Sequence, residues 1–136
     1  MNKLIAIIFV TVTFILPYHV LAAGFDGSEP ILCAMTEAFE CSIENGCNKG
    51  TLESMNIPRF IKIDVRNKKI TTAEGRAEKR ESEIRNFKRD NGVMIFQGME
   101  GGRGWNIIVA EDTGKMSGTA SEDEGGFVVF GACIPN

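Results

Sequence analysis

Few side chains in this sequence are able to do covalent chemistry. Cys33, Cys41, Cys47 and Cys133 are separated by seven, five and 85 residues. A structural zinc site is built from closely spaced Cys and His ligands, and these spacings contain no C-x-x-C pair. The single histidine, His19, lies in an apolar leader far from the last cysteine. Once the leader is removed, Ser-His-Asp and Cys-His nucleophile systems are excluded. No serine has a lysine three positions on, so a Ser-x-x-Lys pair is missing too. Gly98–Gly104 is glycine-rich but joins two extended segments, so no helix N-terminus stands there to hold phosphate. Carboxylates are the remaining catalytic option. Glu111-Asp112 and Glu122-Asp123-Glu124 would have to face each other across a cleft to cleave a glycosidic bond, and neither has the spacing of an EF-hand calcium loop. Solvated loops are the simpler reading. No catalytic residue, metal or cofactor is assigned.

The leader has three parts. Met1-Asn2-Lys3 is cationic, Leu4–Leu16 is apolar, and Val20-Leu21-Ala22 offers a cleavage site before Ala23. Pro17, Tyr18 and His19 interrupt the apolar run well short of the roughly 20 residues that a spanning helix needs. Residues 1–22 therefore read as a signal peptide and residues 23–136 as a single β-rich domain with no stable membrane span. Loss of Lys3 makes the net charge one unit more negative than the −3 of the whole chain. That acidity disfavours nucleic acid, which binds strongly basic faces. A secreted or periplasmic location follows from the leader.

The elements that must position these groups are short strands. Ile31–Cys41 alternates as a strand with an irregular middle, while Leu32, Met35 and Phe39 also fit one face of a helix; the strand is the favoured reading. Asn45-Gly46 is a turn, and Thr51–Pro58 is irregular with Leu52, Met55 and Ile57 as core plugs. Ile61, Ile63 and Val65 alternate with polar neighbours, as a half-buried strand does. Arg66–Lys69 turns into a return strand starting at Ile70. The charge-dense run Glu74–Asp90 has too few apolar residues for an amphipathic helix, so it reads as a solvated loop to Arg80 and a strand near Glu83–Arg89. Asn91-Gly92 is a type I′ hairpin signal, followed by strands at Val93–Gln97, Trp105–Val109, Lys115–Ala120 and Phe127–Cys133. The last is almost wholly apolar, which predicts cover on both faces or packing against a second sheet. Seven or eight strands joined by tight turns make an all-β antiparallel meander, closed or nearly closed into a small barrel or sandwich. A barrel of this size is expected to be filled by its own side chains. Trp105, in phase with Ile107 and Val109, reads as a core residue.

An even cysteine count in an exported chain of this size reads as a disulfide framework. Cys41 with Cys47, across the Asn45-Gly46 turn, and Cys33 with Cys133, on the first and last strands, is the favoured pairing. Cys41 with Cys133 stays open, because Cys41 shares strand parity with Cys33.

The segments Gly104–Val109, Thr113–Met116 and Gly126–Cys133 resemble uncharacterised secreted proteins of Gram-negative bacteria. That resemblance implies export and a β-rich domain, and brings no activity or functional residue. The architecture is loosely similar to periplasmic inhibitors of C-type lysozyme; Ser117-Gly118-Thr119-Ala120 is the nearest match to their Ser-Gly-Ser-Gly-like loop and departs from it, which leaves the likeness at fold level. Three functions follow as expectations. The first is a non-enzymatic exported domain binding a protein or glycan partner. The second is a calycin-type carrier of a small apolar ligand, with Phe96, Trp105, Phe127 and Phe130 as cavity lining; it requires an interior cavity of at least about 300 Å³. The third is a carboxylate glycan hydrolase.

Overall fold

The computed structural model describes residues 24–73 and 79–135. The proposed leader, residues 1–22, lies outside them. Alternating apolar residues and tight turns form nine strands among the described residues: β1 (Ile31–Ser42), β2 (Gly46–Gly50), β3 (Phe60–Asp64), β4 (Lys69–Thr72), β5 (Glu81–Asp90), β6 (Val93–Glu100), β7 (Arg103–Ala110), β8 (Lys115–Ser121) and β9 (Gly125–Pro135). From β3 to β9 each strand pairs antiparallel with the next, and β9 returns to β1. β1 in turn pairs with β3 through Ile31–Ala34, which closes an eight-stranded barrel. The second half of β1 carries β2 as an extra strand, with Ala38 opposite Gly50 and Cys41 opposite Cys47.

The turns have local causes. Asp64 accepts hydrogen bonds from the Asn67 N–H at 2.9 Å and from Asn67 Nδ2 at 2.8 Å, fixing the β3–β4 connection. Those bonds hold the Asp64 carboxyl below its ordinary pKa. Asn91 and Gly92 have φ of 49° and 78°, as a type I′ turn requires. The β6–β7 turn repeats this with Gly101 at 57° and Gly102 at 83°. Gly101 thus occupies the position of Asn91, and Gly102 that of Gly92. Gly92→Val should cost about 1–3 kcal/mol through left-handed backbone strain, whereas Gly101→Asn should change stability by no more than a few tenths, since asparagine tolerates that region. Denaturant midpoints test this; a Gly92→Val protein as stable as wild type would mean the turn relaxes to another type.

In a meander, successive connections alternate between the two ends of the barrel. The β3–β4, β5–β6 and β7–β8 turns share one end. Here Ile31, Cys33, Ile63, Ile84, Met94, Phe96, Val109, Met116 and Cys133 pack into a continuous buried core. The irregular lead-in Gly24–Pro30 meets this end: Arg89 donates from Nη2 to the Phe25 carbonyl, while its Nε lies 3.3 Å from Glu111 Oε1. The β1–β2, β6–β7 and β8–β9 connections share the other end, together with the Thr51–Pro58 segment. Part of the β4–β5 connection lies outside the described residues.

β1 contains a bulge between Met35 and Glu37. Two residues there replace one, so Ile31, Cys33 and Met35 point inward on one side of it and Ala38 on the other. The shared parity read for Cys33 and Cys41 is therefore interrupted. Cys33 sits inside, opposite Cys133 in the β1–β9 register, while Cys41 lies on the outer side, opposite Gly126 on that seam and opposite Cys47 on β2. The disulfides are Cys33–Cys133 and Cys41–Cys47.

The expectation that the last strand is covered on both faces fails. Its inner residues Val129 and Cys133 meet the core, but Phe130 is 43% and Ile134 60% exposed. Closure of one sheet onto itself leaves no second sheet to cover the outside. Phe130 packs edge-to-face on Phe39, at 6.2 Å between ring centroids.

Candidate functional site

The barrel is filled at one end and hollow at the other. A cavity of about 360 Å³ opens at the end that carries the Gly101-Gly102 turn. The expectation of an interior filled by its own side chains therefore holds for half the barrel only. Small residues cause the difference. Gly118 and Ala120 face the cavity from β8, and a Cβ at Gly118 would approach the Val129 side chain to 2.9 Å. β3 and β4 are also short, so beyond the filled half they reach only the depth of the cavity, through Ile61 and Ile70. Above them the wall is completed by Met55, Asn56, Ile57 and Pro58 from the irregular segment, and by Arg80. Backbone bonds hold that segment, among them Ile57 N–H to the Leu52 carbonyl at 2.8 Å and Asn56 N–H to the Glu53 carbonyl at 3.1 Å, and Met35 N–H ties its end to β1 through the Arg59 carbonyl at 2.9 Å.

The depth of the cavity is apolar. Met35, Ile61 and Ile70 line one side, and Trp105, Ile107 and Val129 the other. Trp105 is in phase with Ile107 and Val109, as read from the sequence, and it is also a cavity wall. Its indole lies over Gly98, where any Cβ would collide with the ring. Its Nε1–H donates to Ser82 Oγ at 2.9 Å, which fixes the ring and satisfies its one donor.

The rim is polar. Arg103 Nε donates to Glu122 Oε2 at 2.8 Å and its Nη2 to Oε1 at 3.4 Å. This bond, and then the charge of Glu122, raise the Arg103 pKa further. The same guanidinium lies 5.7 Å from the Phe127 ring centroid, a cation–π distance. Glu100 stands directly opposite Arg103 in the β6–β7 register.

Of the four aromatic residues named as possible lining, Trp105 and Phe127 line the cavity. Phe96 belongs to the filled end, where it is fully buried, and Phe130 points outward. The acidic groups Glu111-Asp112 and Glu122-Asp123-Glu124 sit in consecutive connections and so at opposite ends of the barrel; they form no common cleft. Among the described residues no group of three or more Cys, His, Asp or Glu side chains is arranged to hold a metal ion. Ser117-Gly118-Thr119-Ala120 lies within β8 and not in a loop. The charged run from Glu81 onward forms β5, whose register with β4 stops at Glu83, so Arg85–Arg89 extend β5 beyond the end of β4 with no further strand paired on that side among the described residues. Sequence reasoning missed Asn56, Arg80 and Ser82. The first two sit in stretches read as irregular or solvated, where no periodicity marks a side chain as facing inward.

Compared with known proteins, the chain matches no family model, no curated protein and no solved structure.

Proposed function

We propose that this protein is an exported, non-enzymatic barrel that binds a small, largely apolar ligand in the cavity at its open end. The observation that carries this reading is the cavity itself. Its volume of about 360 Å³ falls within the range of small-molecule sites, roughly 300–1,000 Å³. Its walls have the composition of such sites, apolar side chains with a few placed polar groups. The two disulfides fit an oxidising compartment, in keeping with the leader read from residues 1–22. A carrier also needs no catalytic group.

Trp105 makes the reading testable. A ligand entering the cavity touches its indole, so titration with an apolar probe should change the tryptophan emission saturably. Ala120→Trp, which places a large ring in the same space, should weaken binding at least about tenfold while the disulfide-bonded fold persists. Equal binding by wild type and this variant would mean that the probe sits elsewhere, and the carrier reading would be lost.

A second reading, a macromolecular partner, is favoured by a different surface. Phe39, Phe130 and Ile134 form an apolar stretch on the outer face of the β1–β9 seam, and large exposed apolar side chains mark interaction surfaces when they cluster. Pull-down from the native envelope fraction with wild-type and Phe130→Ser protein tests it.

A further inference from the structure

We propose that the ligand is a single-chain amphiphile with an anionic end group, and that Arg80 holds that end at the cavity mouth. This rests on the carrier reading above and names its ligand class.

The rim charges carry the argument. Arg103 is neutralised by Glu122. Glu100, the lining carboxylate, stands opposite Arg103 across the Gly101-Gly102 turn. Arg80 differs from Arg103, whose charge is paired. Its Nη1 donates to the Asn56 carbonyl at 2.9 Å and its Nη2 to Asn56 Oδ1. Both acceptors are neutral, and among the described residues no carboxylate lies within ion-pair distance of Arg80. The side chain is thus held in place without its charge being compensated by any described carboxylate. Its backbone is fixed as well: Arg80 N–H donates to Thr72 Oγ1 at 3.2 Å, and the Arg80 carbonyl accepts from Thr72 N–H at 3.1 Å. A guanidinium has five donors in a planar fork. Two are used on Asn56, which leaves donors for an oxyanion at the mouth.

The other end of the ligand is set by the cavity depth. Trp105, Ile107, Ile61 and Val129 offer no hydrogen-bond partner there, since the indole N–H is already given to Ser82. An apolar tail suits those walls and a polar one does not. At about 30 Å³ for each water-sized group, the volume accepts roughly a dozen such groups. A ten-carbon chain with a carboxylate is of that size.

The test uses three probes of equal chain length, decanoate, decanol and decylamine, titrated into the disulfide-bonded protein with Trp105 emission and calorimetry as readouts. Decanoate is expected to bind at least about tenfold more tightly than decanol, the scale of a charge-assisted hydrogen bond, with decylamine weakest. Arg80→Gln should bring decanoate down to the affinity of decanol and leave decanol unchanged, which also shows that the variant folds. Arg80→Lys should keep part of the preference. If decanol or decylamine binds wild type as tightly as decanoate, or if Arg80→Gln leaves the preference intact, the role of Arg80 is overturned while the carrier reading stands. If none of the three binds, the carrier reading falls and this inference with it.

Discussion

Replacing Cys33 and Cys133 together with alanine is expected to lower unfolding free energy by about 4–5 kcal/mol. The two residues are 100 apart in sequence, and a bridge closing a loop of that length removes about 4.7 kcal/mol of chain entropy from the unfolded state. The bridge lies inside the barrel, with Cys33 fully buried and Cys133 nearly so, and the two face each other directly in the β1–β9 register. The Cys41–Cys47 bridge closes only a six-residue separation on an exposed hairpin, so removing it should cost about 2 kcal/mol by the same relation. Urea unfolding of the two double-alanine proteins decides the matter. The Cys33/Cys133 variant should also have the steeper denaturant slope, because its unfolded chain exposes more surface. Equal losses in the two variants would mean that the unfolded chain is already compact without the long bridge.

Phe96→Ala should cost about 3–5 kcal/mol, the range for truncating a fully buried aromatic. Phe96 is among the largest side chains without solvent exposure, and it sits at the filled end, where the core is continuous and cannot collapse around a void. It also stacks on Phe87, with centroids 5.0 Å apart and planes 18° from parallel, an arrangement worth about a further 0.5–1.5 kcal/mol. Phe130→Ala, outward on β9, should cost far less. Chemical denaturation of both variants gives the comparison. A loss under about 1 kcal/mol for Phe96→Ala would show that the filled end is loosely packed.

Much of this fold was legible in the sequence because its signals are local. Ile61, Ile63 and Val65 alternate, Asn91-Gly92 demands a type I′ turn, and each places a strand end with no knowledge of the rest. What was illegible depends on partners distant in the chain. The bulge near Thr36 forms because β1 must follow β9 along its whole length; Thr36 Oγ1 donates to the Phe130 carbonyl across that seam at 3.3 Å. Ile31–Cys41 does read as a strand with an irregular middle, where the bulge lies, but not as one that reverses the facing of the residues beyond it, and so Cys41 and Cys33 read as same-faced. The β9 pattern was misjudged for a related reason. An apolar run does not state whether a second layer exists, and in a closed barrel there is none. The positions of the two acidic connections were in principle readable, since adjacent turns of a meander fall at opposite ends. The cavity was not, because it depends on how far β3 and β4 extend, and on Gly118 and Ala120 facing the same space as Trp105.

Closure of the barrel through its first and last strands also sets how fast the molecule can form. The neighbouring hairpins from β3 to β9 pair residues close in sequence and can zip independently, on the microsecond scale of isolated hairpins. The β1–β9 ladder joins residues about a hundred positions apart, so its loop entropy must be met before any of its contacts are gained. Folding dominated by such distant pairings runs in milliseconds to seconds. Until that step, β9 presents Phe127–Phe130 as an apolar strand with one open edge, a template for a neighbouring chain. The slowest event in the folding of this protein is therefore also the one that ends its exposure to aggregation.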